Sequence, residues 1–177
     1  MALKIKMKNK IKIALFLLFV LVISGCNSNK NNFGPLGSTH IHADFKVYIL
    51  GNPIDFSLSK YQLRDQLTHV ENGDGDVIHM HATRINLGYF FETVGMKIDN
   101  DCITLDTGNK YCTHDNAKLR VFLKNGNSDW EQLYYPADYV MQDLDKILLT
   151  YGTENDEKIK KLEGSVTDKA KAAGGMD

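Results

Sequence analysis

Asn86-Leu87-Gly88-Tyr89-Phe90-Phe91-Glu92-Thr93-Val94-Gly95 is the stretch on which the fold turns. Leu87, Phe90, Phe91 and Val94 recur at i, i+3, i+4 and i+7, which lines them along one face of a helix. Asn86 suits the N-cap, where a short polar side chain accepts a backbone N–H. Gly95 suits the stop, where the chain leaves through the left-handed region. On both sides the helical period gives way to alternation. Upstream, Phe45, Val47 and Ile49 alternate with Asp44, Lys46 and Tyr48, the pattern of a half-buried strand. Gly51-Asn52 turns the chain into Pro53-Ile54-Asp55-Phe56, the expected hairpin partner. A short helix is expected over residues 59–66 and an extended segment over 77–82. Downstream, Leu119, Val121 and Leu123 alternate with Arg120 and Lys124 before an Asn125-Gly126 turn, and residues 147–151 read as the final strand.

Between helix and last strands lies a second local signal. Cys102-Ile103-Thr104-Leu105 and Asn109-Lys110-Tyr111-Cys112 flank Asp106-Thr107-Gly108. That composition fits a three-residue hairpin loop, a type I turn closed by a left-handed glycine. In this register Leu105 faces Asn109, Ile103 faces Tyr111 and Cys102 faces Cys112. Directly opposed strand residues stand about 4.5–5.5 Å apart at Cβ, within reach of a disulfide after slight adjustment. A Cys102–Cys112 staple is therefore expected. A redox-active dithiol is the alternative, but no C-x-x-C spacing supports it.

A hairpin, one helix and then more strands is the element order of the β-grasp fold. The segment Asp138-Tyr139-Val140-Met141-Gln142-Asp143-Leu144-Asp145-Lys146-Ile147-Leu148-Leu149 resembles the ubiquitin-type ending, in which a short turn with a Tyr precedes the last central strand. The resemblance spans residues 43–152 and implies an α+β chain whose mixed sheet wraps one amphipathic helix. It speaks to fold and not to function. Residues 57–84, which carry three histidines, exceed the connection such a fold needs before its helix, and read as an insertion that is either functional or disordered.

Five of the six histidines fall between positions 40 and 81, four of them in the dipeptides His40-Ile41-His42 and His79-Met80-His81. On a strand, i and i+2 point to the same face, so each pair projects together. His42 shares parity with Asp44 and Lys46, which places the first pair away from Phe45, Val47 and Ile49. Two such pairs brought together supply four imidazoles at about 2.0–2.1 Å from one ion, or three with His69 and an open water position. Four nitrogens suit tetrahedral Zn²⁺ or tetragonal Cu²⁺, and the residue types do not choose between them. The expected metal ligands are His79, His81, His42, His69 and His40. The competing reading is a set of solvated strand histidines. His114, in the polar run Thr113-His114-Asp115-Asn116, is expected to be solvated. Glu71-Asn72-Gly73-Asp74-Gly75-Asp76 spaces carboxylates with glycines but lacks the EF-hand pattern and its closing Glu, so it reads as an acidic turn. Asp74 and Asp76 are candidates to orient a ligating histidine from behind.

Lys4, Lys6, Lys8, Lys10 and Lys12 precede an unbroken apolar run over residues 13–23, shorter than the about 20 residues of a membrane span. Residues 1–25 are thus expected to be a signal peptide. The following Ile23-Ser24-Gly25-Cys26 resembles the lipobox of exported lipoproteins, which implies a lipidated Cys26 holding the domain on the outer face of the cell membrane. An uncleaved anchor is the alternative. Residues 26–39 read as a flexible tether, 40–152 as the domain, and 153–177 as a charged helical or disordered tail. Without residues 1–25 the chain has 16 basic and 22 acidic residues, a balance that disfavours nucleic acid as a partner. Three functions are consistent with these features. The first is an anchored, extracytoplasmic protein binding Zn or Cu for capture or delivery. The second is an extracytoplasmic interaction module using Tyr89-Phe90-Phe91 and residues 130–139 to hold a protein or small ligand. The third is a zinc hydrolase with Glu71 or Glu92 as base. No H-E-x-x-H or comparable motif joins ligand to base, so no catalytic residue is assigned.

Overall fold

A computed structural model describes residues 32–174. Its strands are β1 (Ile41–Ile49), β2 (Asn52–Pro53), β3 (Thr68–His69), β4 (Val77–Met80), β5 (Lys97–Ile98), β6 (Cys102–Thr104), β7 (Lys110–Cys112), β8 (Lys118–Lys124), β9 (Glu131–Leu133) and β10 (Lys146–Gly152). Helix α1 (Leu87–Thr93) lies between β4 and β5, and α2 (Asp156–Glu163) and α3 (Ala170–Ala173) follow β10. The main sheet has the order β3-β4-β1-β10-β8-β9, with β2 beside β1, while β5, β6 and β7 form a small second sheet. β1 and β10 run parallel, Phe45 opposite Ile147 and Val47 opposite Leu149; the neighbouring pairs are antiparallel. The chain is α+β, a mostly β mixed sheet with few helices. The signal, the lipobox and residues 26–31 of the tether lie outside the described residues; of the rest of the tether, Phe33 packs against the core and the Gly34 and Gly37 N–H groups donate to Thr83 O at 2.9 Å and His81 O at 2.7 Å. Among the described residues no helix is long and apolar enough to cross a membrane.

Strand alternation sends Phe45, Val47, Val121, Ile147 and Leu149 to one face of the sheet, where Leu87, Phe90 and Phe91 of α1 join them in the core. The Phe45 ring sits 4.9 Å from Phe56 and 5.2 Å from Phe90. Both ends of α1 follow from its sequence. Asn86 Oδ1 accepts the Tyr89 N–H at 2.8 Å, and Gly95, at φ +77°, donates to Glu92 O at 3.0 Å. The cysteine hairpin takes the expected register, with Cys102 opposite Cys112 and Ile103 opposite Tyr111. Gly108 adopts φ +84°, and the two cysteines are disulfide-bonded over a separation of 10 residues. A loop this short limits the chain entropy removed, so joint Cys102→Ser and Cys112→Ser substitution should cost about 2 kcal/mol. Urea denaturation reads this directly, and an unmoved midpoint contradicts the staple role.

Three local expectations change. Residues 59–66 are turns, not a helix: Tyr61 and Gln62 donate three residues back, to Leu58 and Ser59, and Leu63, at φ +51°, then donates to Val70 O at 2.9 Å. A left-handed residue ends any helical run there. Pro53 does begin a partner of β1, but the pairing stops after two residues, and Phe56 leaves for the core. The longer antiparallel partner is β4, with His42 opposite His79 and Asp44 opposite Val77. Residues 57–84 are therefore not an appendage to the sheet; they supply β3 and β4.

The other sheet face is also covered. Asn155 caps α2 by accepting the Lys158 N–H at 3.0 Å, and Leu162 and Val166 pack on Leu148 with Tyr48 and Phe122 beside them. Asp44, only 2% exposed, holds the following segment. Its carboxylate accepts from the Thr167 hydroxyl, from Lys169 N–H at 2.9 Å and from Ala170 N–H at 3.2 Å. Asp44→Ala should therefore cost about 2 kcal/mol or more, because it strands two backbone donors. Faster amide exchange at Lys169 and Ala170 would register the loss; unchanged exchange would show that other contacts hold the segment.

Candidate metal centre

β3, β4 and β1 lie side by side in a register that sets His69 opposite His79 and His79 opposite His42. One step along, His40 and His81 bring their rings to 4.7 Å, and the His81 N–H donates to Leu67 O at 2.8 Å. Two rows of three places result, filled by His69, His79 and His42 and by Leu67, His81 and His40. Because i and i+2 share a face, the five histidines project together. Their rings form a closed circuit: His40 to His42 at 4.7 Å, His42 to His79 at 4.6 Å, His79 to His69 at 5.9 Å, His69 to His81 at 5.0 Å, and His81 back to His40. All five expected histidines are thus brought together. His114 stands apart, its side chain 67% exposed and its Nε2 3.3 Å from Tyr151 Oη.

Depth is graded across the circuit. His42, His69 and His79 are 2%, 8% and 9% exposed, His81 is half-buried and His40 is exposed. A cavity of about 470 Å³ opens beside them, lined by His40, His42, Glu71, Asp74, His79 and the α3 residues Ala172 and Ala173. His40, His42 and His79 offer one ligand atom each, all within 4.8 Å of one another. An ion bound at about 2.0–2.1 Å in tetrahedral geometry sets its ligands about 3.3 Å apart, so the three rings need only turn inward by on the order of an ångström.

Burial pushes His79 from its ordinary 6.5 down to about 4, helped by His42, His69 and His81 and opposed by Glu71. Burial lowers His81 as well. His79 is therefore neutral near pH 7, the form that donates a lone pair to a metal. The shift also predicts how the metal-free chain responds to acid. Unfolded His79 takes up a proton below about 6.5, whereas the folded residue stays neutral down to about 4. Stability from this group is constant above that window, falls by up to about 1.4 kcal/mol per pH unit within it, and levels off below it. Denaturation midpoints measured through the window should drop less steeply in His79→Gln; equal slopes contradict the assignment.

The nearest carboxylate is one that sequence reasoning left out of the ligand set. Glu71 Oε2 lies 3.3 Å from His69 Nε2, and Glu71 Oε1 lies 3.6 Å from His79 Nδ1. The signal was present: His69-Val70-Glu71 repeats the i, i+2 spacing of the dipeptides. Asp74, which lines the cavity with the rings, and Asp76 engage Lys169 at 3.0 and 2.9 Å, and Asp76 also pairs with Lys46. Glu92 is exposed on α1. No family model, curated protein or solved structure matches the chain, and the site is read from its own geometry.

Proposed function

We propose that this chain is a lipid-anchored, extracytoplasmic protein that binds Zn²⁺ or Cu²⁺ through its histidine cluster, for capture or delivery of the ion. The observation that carries the reading is the convergence of His42 on β1, His40 just before it and His79 on the adjacent β4. Imidazoles gathered at this density, with His79 held neutral by burial, are a costly arrangement without a cation and an apt one with it. Export rests on the cationic, apolar and lipobox-like N-terminus. The sheet is read as β-grasp, supported by its central parallel pair, the flanking antiparallel strands and one helix between the two halves. Calorimetric titration of the purified protein with Zn²⁺ or Cu²⁺ tests the function. Binding tighter than about micromolar, about 8 kcal/mol, is expected; weaker binding of both ions contradicts it.

A second reading, an interaction module, is favoured by Tyr134 and Tyr135, which are 70% and 67% exposed. Tyr89, Phe90 and Phe91 do not serve it, because they belong to the core or pack against it. Retention of a specific membrane partner, lost in a Tyr134→Ala and Tyr135→Ala double variant, would favour this reading.

A further inference from the structure

Five rings are more than one ion can use. A tetrahedral ion takes four ligand atoms about 3.3 Å apart, and adjacent strands are about 4.8 Å apart, so an ion between β1 and β4 lies a full strand away from β3. His40, His42 and His79 form the close triad, while His69 sits on β3 and its ring neighbours His81 at 5.0 Å. Around His69 the surroundings are those of a ligand. Its Nδ1 lies 2.7 Å from the Asp65 carbonyl. A carbonyl can only accept, so Nδ1 carries the hydrogen and Nε2 is the coordinating atom. Metal-bound histidines are commonly oriented by such a bond. Nε2 is buried, makes no hydrogen bond, and stands 3.3 Å from Glu71 Oε2. That separation matches two ligand atoms on one tetrahedral ion.

We propose that the cluster holds two divalent ions, the first on His40, His42 and His79 and the second on His69 and His81 with Glu71 as its carboxylate ligand. This rests on the metal-binding reading above and extends it to a paired site. Glu71 faces both His69 and His79, so its negative charge lies where the two cations would repel each other most. The carboxylate is what makes double occupancy feasible.

The test counts ions on the full chain. Protein extracted from membranes in detergent is loaded with excess Zn²⁺, desalted and analysed for zinc per chain, beside Glu71→Gln and His69→Ala. The expected result is two ions in the wild type and one in each variant, with Cu²⁺-loaded wild type giving a spin-coupled electron paramagnetic resonance signal that Glu71→Gln converts to isolated copper. Glu71 is half-buried, so the isosteric Gln is expected to fold; an unchanged thermal transition verifies this, and His69→Ala provides the independent second variant. One ion in the wild type overturns the paired site and leaves the triad standing, as does a second ion that survives both variants. No bound ion in any form overturns the metal-binding reading itself.

Discussion

Replacing His79 with alanine is expected to weaken Zn²⁺ or Cu²⁺ binding by at least about 100-fold, beyond the about 10–100-fold that losing a supporting residue costs. His79 is the hinge of the cluster. It stands opposite His42 on one side and His69 on the other, belongs to the close triad, and is among the three most buried rings. Its loss would take away one of the three close imidazoles and widen the gap between β1 and β3 that the remaining rings would have to span. Competition against a chelator of known affinity measures the effect. His114→Ala is the control, since that ring is outside the circuit, and it should leave affinity unchanged. Equal affinity in His79→Ala and wild type would mean that metal binds elsewhere.

Phe45→Ala is expected to destabilise the domain by about 3–5 kcal/mol, a large share of the about 5–15 kcal/mol that holds a typical domain folded. Phe45 is 1% exposed on the strand that bonds to β4 and β10, with the Phe56 and Phe90 rings against it. Truncation leaves a cavity between sheet and helix that neither ring can fill alone. The effect reaches the site, because His42 and His40 sit just before Phe45 on the same chain segment. Denaturation of the metal-free variant should show a much lower midpoint, and added Zn²⁺ should recover part of it through preferential binding to the folded state. A loss below about 1 kcal/mol would contradict the packing described.

What was legible in the sequence depended on short-range periodicity. The stripe Leu87, Phe90, Phe91 and Val94, the Asn86 cap, the register across Asp106-Thr107-Gly108 and the shared face of each His-x-His pair are all decided within a few residues. Pairings between distant strands were not. Residues 53–56 and 77–80 read as equally extended, and only the folded sheet shows that the latter take the longer ladder beside β1. That pairing is what places His79 beside His42. Glu71 reads from the sequence as part of an acidic turn or as a base, not as a ligand, because its neighbours are rich in glycine and acid. The segment after Gly152 was masked by its charge, although Ile159, Leu162, Val166 and Ala170, all buried, recur at intervals of three and four along it. His42 was expected on the side away from the core, and it is there; its burial comes from that C-terminal segment, whose Gly174 lies near its Nδ1.

X-ray absorption at the metal edge of the Zn²⁺- or Cu²⁺-loaded full chain reads the ligands around the ion themselves. Nitrogen ligands at about 2.0–2.1 Å with the multiple scattering of several imidazole rings are expected, reduced in His79→Ala. A spectrum showing only water and carboxylate oxygen around the ion would contradict it.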